Sequence, residues 1–188
     1  MLAGPMRRVL WMVDGRTSGG SFRCGTSEDQ WCDMDNRVHF SSATDLWATP
    51  WLLFRVLDAK FRFTCDVCAL PENAKCKRFY TPDEDGLAQR WTGVCWMNPP
   101  YGREVGKWIR KAYESAASGD ATVVCLIPAR TDTSYWHDFV MRASEVWLVA
   151  GRIRFGDAKS GAPFPSAIVV FRPGELDEVP TLKGFSQN

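Results

Sequence analysis

The chain has 188 residues, of which 45% are hydrophobic and 24% are charged, a composition typical of one globular domain with a single core. Its 23 lysine and arginine residues are balanced by 22 aspartate and glutamate residues, and the resulting net charge of +1 excludes a basic protein that coats polyanions by overall attraction. No apolar run approaches the roughly 18 residues of a membrane span, and the apolar stretch 9–13 is too short for a secretory signal. We therefore expect a soluble cytoplasmic protein without a membrane partner.

The first half of the chain divides into a tail and the start of a domain. Residues 1–40 are rich in glycine and serine and show no sustained period, which predicts a tail that cannot bury itself. A helix is predicted directly after Pro50, because a proline in the first turn followed by a dense apolar face marks a helix start. Short strands are predicted over 61–65 and 93–97.

The second half alternates helices and strands. Glu104 to Ser118 forms an amphipathic pattern that predicts a helix ended by Gly119. Strands that are apolar on both faces imply a mostly parallel sheet covered by helices, so the predicted class is α/β, with one domain over 41–173 and a loose tail over 174–188. The other predicted elements are the strands 122–127, 145–149 and 167–171 and a helix over 135–142.

We predict that the cysteines are free thiols. Their count of seven is odd, and several lie within apolar stretches, where a thiol behaves as a small buried hydrophobe. Cys65, Cys68 and Cys76 leave a zinc site as an alternative, although neither His39 nor His137 stands at a recognisable spacing for the fourth ligand. We therefore predict no metal, and we expect His137 at the surface or satisfied by packing.

The most specific feature is the tetrad Asn98-Pro99-Pro100-Tyr101, which follows a predicted buried strand and precedes a helix. Ligands of open α/β sheets bind beyond the carboxyl ends of the strands, where this tetrad would lie. The two prolines make a stiff corner. The Asn98 oxygen and a backbone carbonyl can both accept hydrogen bonds from one exocyclic amino group, and Tyr101 offers a face on which a planar base stacks. For Asn-Pro-Pro alone, a simple turn before a helix is the alternative.

Further motifs accompany the tetrad in order along the chain. With them, the sequence from about Ser42 to Pro173 resembles the amino-group methyltransferases, and more closely the phage-borne, Dam-like family of DNA N6-adenine methyltransferases. The resemblance implies a Rossmann-like domain that uses S-adenosylmethionine to methylate adenine in DNA. The motifs that carry it, besides the tetrad with Gly102, are Trp47-Ala48-Thr49-Pro50, the residues 65–69 and 73–76, Asp85-Gly86-Leu87, and the segments 126–133, 151–155 and 162–166.

By this resemblance, Asn98, Pro99, Pro100 and Tyr101 form the catalytic corner that holds the target adenine. The implied cofactor contacts are Thr49, Pro50 and Asp66 at the methionine end, Asp85 at the adenosine end, and Trp47 beside them. One departure is that the glycine-rich loop of many methyltransferases, Asp-Pro-x-x-Gly-x-Gly, is replaced by residues 66–71, which contain no glycine.

Phosphate contacts are expected from arginine and lysine side chains near this corner. Arg103 and Lys107 begin a basic stripe on the helix after the tetrad, whose other interpretation is a solvated surface. Arg130 follows a predicted strand end near the site, and Arg152 lies in a later loop. The target adenine would be rotated out of a duplex or taken from a single strand, and loops 131–135 and 156–165 would set a short or relaxed recognition site.

Two alternatives to adenine methylation stay open at this point. The tetrad suits any planar amino group, so cytosine N4 or a protein glutamine amide are alternative acceptors. A catalytically silent DNA-binding module is the alternative from another class, and the intact Asn98 and Tyr101 disfavour it. Nine tryptophans also suggest a stacking platform, but most of them, Trp108 and Trp147 included, are expected in the core. The sequence leaves the oligomeric state open.

Overall fold

Segments that are apolar on both faces assemble into one six-stranded sheet in the computed structural model, which describes residues 47–186. The tail expected over 1–40 and the start of the predicted domain lie outside the described residues. The elements are α1 (Trp51–Phe61), β1 (Cys65–Asp66), β2 (Gly93–Met97), α2 (Val105–Ala117), β3 (Ala121–Pro128), α3 (Ser134–Asp138), β4 (Glu145–Val149), β5 (Ser166–Phe171) and β6 (Thr181–Phe185), with 3₁₀ turns at Pro82–Glu84 and Val140–Arg142.

The strand order across the sheet is β1-β2-β3-β5-β4-β6. Strands β1, β2 and β3 pair in parallel, as do β4 and β6, whereas β5 runs antiparallel between β3 and β4. Five strands therefore point the same way, and the predicted α/β class with a mostly parallel sheet is confirmed. Parallel strands place their carboxyl ends at one edge, which is where ligands bind in such sheets.

Each face of the sheet has its own core. Along β3, Val123, Cys125 and Ile127 pack into one core with helices α2 and α3. Val124 and Leu126 face the opposite core, to which α1 contributes Leu53, Phe54 and Leu57. This alternation explains the continuous apolar pattern of the strand, since both of its faces are covered.

Two predicted elements differ in extent. The strand expected over 61–65 is reduced to β1, because α1 continues to Phe61 and Arg62 then adopts a left-handed conformation with φ of 57°. Phe61 and Phe63 pack on each other in the second core, with ring centroids 5.8 Å apart. Their separation of two residues in the sequence is also that of side chains on one face of a strand, which explains the wrong prediction. The helix expected over 135–142 is divided at Phe139, whose φ of −129° is not helical.

The loose tail expected after Pro173 is wrong for residues 181–185, which form the edge strand β6 beside β4. Lys183 Nζ lies 2.5 Å from Glu145 Oε2, and the ring of Phe185 stacks on Trp147 with centroids 5.8 Å apart. Burial acts to raise the pKa of Glu145, but hydrogen bonds from Lys183, Trp147 and Arg172 outweigh it and hold the pKa at about 2. The edge strand is mostly exposed, so its side chains show no pattern of burial.

None of the helices between residues 47 and 186 has the length and apolarity needed to cross a membrane.

Candidate active site

Asn98 follows the last residue of β2 and has its side-chain amide fixed on both sides. Its Nδ2 donates to the backbone oxygen of Trp47 at 2.5 Å and to Thr49 Oγ1 at 2.9 Å, while its Oδ1 accepts a hydrogen bond from the Tyr101 hydroxyl at 2.7 Å. If the amide were rotated by 180°, Oδ1 would face the Trp47 carbonyl oxygen, and two hydrogen-bond acceptors would then lie in contact. Both amide protons are thus used, and Oδ1 keeps one lone pair for a ligand.

Tyr101 is a buried, neutral hydrogen-bond donor. Its side chain is 3% exposed, and its hydroxyl also lies 3.2 Å from the backbone oxygen of Leu126 on β3. Burial, together with the neighbouring Cys68 and Tyr135, raises the pKa of Tyr101 well above its ordinary value. The hydroxyl therefore holds its proton and orients Asn98, and it is no general base.

The ring of Tyr101 lies in a cluster of four aromatic side chains. Trp47 is nearly parallel to it, at 23° with ring centroids 6.5 Å apart. Phe155 and Phe164 present edges to both rings, with centroid separations of 5.1–5.9 Å. The ring of Tyr101, on which a planar base was predicted to stack, is therefore enclosed by other side chains in this structure.

A cavity of about 350 Å³ opens beside Asn98, beyond the carboxyl ends of β1 and β2. The cavity position agrees with the general rule for open α/β sheets. Of the residues predicted for the site, those that line the cavity are Trp47, Thr49, Asp66, Asp85, Asn98, Pro99 and Pro100, and those that do not are Pro50, Tyr101, Arg103, Lys107, Arg130 and Arg152. Pro50 instead stands at the N-cap of α1.

Asp66 places a carboxyl group, 3% exposed, at the wall of this cavity. Its oxygens accept hydrogen bonds from the backbone nitrogens of Lys75 at 3.0 Å and Cys68 at 3.4 Å. Burial raises the pKa of Asp66 to about 6, against these hydrogen bonds and the charge of Lys75, which lower it. A buried carboxylate of this kind favours a cationic ligand group, because an opposite charge offsets the cost of its desolvation.

Near the cavity, the backbone of Gly86 comes very close to the backbone of the loop 66–71, which itself contains no glycine. A Cβ atom added to Gly86 would lie 2.2 Å from the backbone oxygen of Val67 and 3.0 Å from the ring of Trp108. The carbonyl of Gly86 also accepts a hydrogen bond from Trp91 Nε1 at 2.8 Å. Glycine is therefore required where the segment after the 3₁₀ turn crosses the loop that follows β1.

Sequence reasoning missed several residues of the cavity wall. Lys75 lines the cavity, and its ammonium group lies 4.0 Å from the centroid of the Trp51 ring. Trp108, expected in the core, is only half-buried and faces the cavity from α2. The segment 73–76 stood out only as part of the family resemblance, since no spacing rule marks a lysine in a loop as a ligand contact. The other missed lining residues include Asn73, Tyr80 and Thr81.

The basic residues fall into two groups. On α2 and just before it, Arg103 and Lys107 are exposed, and Lys107 pairs with Glu104 at 2.5 Å, as in an ordinary solvated helix face. Arg130 and Arg152 have no carboxylate partner within residues 47–186. Arg130 follows β3 in a turn closed by Thr133 Oγ1, which donates to the Arg130 carbonyl at 2.7 Å.

Within residues 47–186, no three His, Cys, Asp or Glu side chains come together in a group that could hold a metal ion. Cys65, Cys68 and Cys76 are free thiols, and His137 is exposed at the end of α3.

Comparison with known proteins identifies the family. The sequence model for DNA N-6-adenine-methyltransferase (Dam) matches residues 38–176. The DNA N-6-adenine-methyltransferase of Haemophilus phage HP1 is 34% identical over 141 residues, which are 70% of this chain and 81% of that protein. The protein of the same name from Escherichia phage T1 is 31% identical over 111 residues, 56% of this chain and 45% of that protein.

Among solved structures, a predicted O-methyltransferase from Agrobacterium tumefaciens shows a distant likeness, with a TM-score of 0.34 and 16% identity over 73% of this chain and 64% of that one. The family match extends over most of the chain and includes the Asn98 corner and the whole described cavity wall. This chain therefore belongs to the DNA N-6-adenine-methyltransferase (Dam) family.

Proposed function

We propose that this protein transfers a methyl group from S-adenosylmethionine to N6 of adenine in DNA. The observation that carries the proposal is the Asn98 corner, an amide fixed by three hydrogen bonds at the mouth of a cavity beyond parallel strand ends. The names of the phage relatives support DNA adenine as the acceptor and a phage or prophage origin. Such a protein would act in the cytoplasm of the bacterial host.

The donor set of the cavity fits S-adenosylmethionine, which supplies an already activated methyl group when bound. That molecule carries an ammonium group, a carboxylate and an adenosine. The cavity wall offers matching groups, the buried carboxyl of Asp66 for the ammonium and Lys75 for the carboxylate. Asp85 would hold the adenosine end, and the half-buried Trp108 offers an aromatic surface near it.

Asn98 would act on the acceptor. Its Oδ1 and the backbone carbonyl of Pro99 would accept the two hydrogens of the adenine amino group and direct its nitrogen lone pair toward the methyl group. Thr49 and Tyr101 are positioning residues, because they hold the Asn98 amide and leave one acceptor lone pair available. No strong base is needed for the transfer, since the proton leaves the methylated, cationic amino group for water afterwards.

DNA would approach along the loops beyond β3 and β4. Arg130 and Arg152, which follow β3 and β4 and have no carboxylate partner in the described part of the chain, are the preferred phosphate contacts, and Arg103 and Lys107, at the start of α2, are secondary ones. The backbone nitrogen of Ala129 donates to the Pro165 oxygen at 2.9 Å, so the turn with Arg130 is joined to the second of these loops. We propose that these loops, 131–135 and 156–165, set a short recognition site.

The test is methyl transfer from labelled S-adenosylmethionine to unmethylated bacterial genomic DNA, followed by hydrolysis to nucleosides. Wild type is expected to label N6-methyladenine, and Asn98→Ala to lose about 100-fold or more in rate while it still binds the cofactor. Label in N4-methylcytosine, or only in added protein, would contradict adenine as the acceptor. Duplex and heat-denatured DNA, compared at equal concentration, distinguish base flipping from single-strand use.

A further inference from the structure

The donor side of the Asn98 corner is open, whereas the acceptor side is closed. Among the described residues, the cavity wall includes Asn98, Pro99 and Pro100 but not Tyr101. The ring on which a target base would stack is 3% exposed, and it is enclosed by Trp47, Phe155 and Phe164. A base therefore reaches Tyr101 only after a part of the aromatic cluster has moved.

The cluster has no internal space for a base. A planar base between two rings needs about 3.5 Å on each side, roughly 7 Å in all. The centroids of Trp47 and Tyr101 are 6.5 Å apart, and Phe155 and Phe164 lie 5.1–5.9 Å from both. The four rings thus contact one another, and an entering base must replace one of them.

Trp47 is the ring best suited to be replaced. Tyr101, Phe155 and Phe164 are each 3% exposed, but Trp47 is only half-buried. Its indole is also a planar bicyclic ring system, as a purine is, and it lies nearly parallel to the ring of Tyr101. Its backbone oxygen binds the same Asn98 amide that would position the adenine.

We propose that the indole of Trp47 holds the place of the target adenine on Tyr101 in the absence of DNA. When adenine enters, the indole leaves, and the segment at Ala48 separates from the loop at Gly156, whose backbone nitrogen donates to the Ala48 oxygen at 2.8 Å. This inference rests on the proposed function. It gives Trp47 a role toward the acceptor base, in addition to its place in the cavity wall.

The first test is truncation of the indole. A protein whose binding-competent form is only partly populated binds its ligand more weakly by that fraction. Trp47→Ala removes the competing ring and keeps the backbone carbonyl, so the KM for DNA, measured at saturating S-adenosylmethionine, is expected to fall by about 3- to 10-fold. Trp47→Phe, which leaves a smaller ring, should lie between Trp47→Ala and wild type.

The opposite result would overturn the proposal. If Trp47 is instead a fixed wall that stacks on the bound adenine, Trp47→Ala leaves the KM for DNA unchanged or raises it. Thermal unfolding and the affinity for S-adenosylmethionine, measured on each variant, separate either result from a loss of folding.

The second test locks the two segments together. A Cβ atom added to Gly156 would lie 3.8 Å from that of Ala48, a spacing typical of disulfides. The variant Ala48→Cys/Gly156→Cys, once oxidised, is expected to bind S-adenosylmethionine but to lose about tenfold or more of its DNA methylation rate. Reduction should restore the rate, and comparison within one variant cancels the strain of cysteine at Gly156, whose φ is 51°.

Each outcome of the locking experiment has one meaning. The single variants Ala48→Cys and Gly156→Cys, oxidised in the same way, control for the native cysteines. If the locked protein labels adenine as fast as the reduced one, the proposed separation of the two segments is overturned. If wild type labels no adenine at all, the proposed function fails and the placeholder role falls with it.

Discussion

The two sides of the Asn98 corner are built differently. On the donor side, a cavity of about 350 Å³ is lined by Asp66, whose carboxyl is buried, and by Lys75. On the acceptor side, Tyr101 lies against three other aromatic rings. Under the proposed function, the site would therefore be preformed for the methyl donor and closed toward the base.

Physical chemistry explains this difference. Charged groups resist complete burial without partners, so a pocket that carries them is kept open to water or to a charged ligand. Aromatic rings gain dispersion and hydrophobic free energy when they pack together, so a pocket made of them closes when it is empty. A variant that alters only the donor side should therefore change the affinity for S-adenosylmethionine. A variant that alters only the acceptor side should change kcat or the KM for DNA.

The largest effect on the donor side is expected from Asp66→Asn. Loss of the buried carboxylate removes a charge-assisted interaction of about 1.5–3 kcal/mol, so the affinity for S-adenosylmethionine should fall about 10- to 100-fold. Calorimetric titration measures this directly. Asp83→Asn, an exposed residue of the nearby 3₁₀ turn, is the matched control and should bind as wild type does.

The same carboxyl predicts a pH dependence with a definite sign. The pKa of Asp66 is raised to about 6, so the group is ionised above this pH and protonated below it. Only the ionised form attracts the ammonium group of the cofactor. Affinity should therefore fall as the pH is lowered through about 6, and the Asp66→Asn variant should lack this step. A fall of equal size in the variant would show that another group is responsible.

On the acceptor side, Tyr101→Phe keeps the ring but removes the hydroxyl that contacts Asn98 and Leu126. The Asn98 amide then loses one of its three restraints, and kcat should fall by about tenfold, the upper range for one hydrogen bond. Affinity for S-adenosylmethionine should be unchanged. Tyr113→Phe, which removes a hydroxyl that donates to Asp177 away from the cavity wall, is the control, and an equal loss of kcat there would contradict a specific role for Tyr101.

Variants of Thr49 test whether the donor side and the acceptor side share a residue. Thr49 lines the donor cavity, yet its hydroxyl accepts a hydrogen bond from Asn98 Nδ2. Thr49→Val should lower kcat by about threefold with little change in the KM for S-adenosylmethionine, and Thr49→Ser should restore kcat. A rise in that KM without a change in kcat would assign Thr49 to the cofactor instead.

The smallest effects are expected from the proposed phosphate contacts. Arg130→Ala and Arg152→Ala should each raise the KM for DNA by about two- to threefold at moderate salt, and each should reduce the slope of log affinity against log salt by about 0.9. Arg90→Ala is the control, because Arg90 pairs with Asp120 near the amino end of β2. An unchanged salt slope in both variants would place the DNA on another surface.

Local signals predicted most of the fold. Pro50 marked the start of α1, and the apolar segments before the tetrad and after Gly119 predicted β2 and β3. The exposed edge strand β6 was missed, because its stability comes from pairing with β4 and not from burial of alternate residues. The strand expected over 61–65 was misplaced, because Phe61 and Phe63 pack as a pair after the end of a helix.

The candidate site was predicted only in part, for a related reason. The Asn98 corner was visible, because the chemistry needs an amide and two prolines in sequence. Lys75 and Trp108 were missed, since their place in the cavity wall depends on how distant segments fold together. The close approach of Gly86 to Val67 likewise joins two loops that no local rule relates.

The sequence by itself determined the α/β class, the position of the Asn98 corner after a buried strand and the resemblance to its family, because periodicity and short motifs are local properties. Only the tertiary structure decided that Thr49 and Tyr101 orient Asn98, that Asp66 is buried, and that Trp47 covers the ring of Tyr101. These features depend on distances between residues far apart in the chain, which packing sets and the order of amino acids does not display.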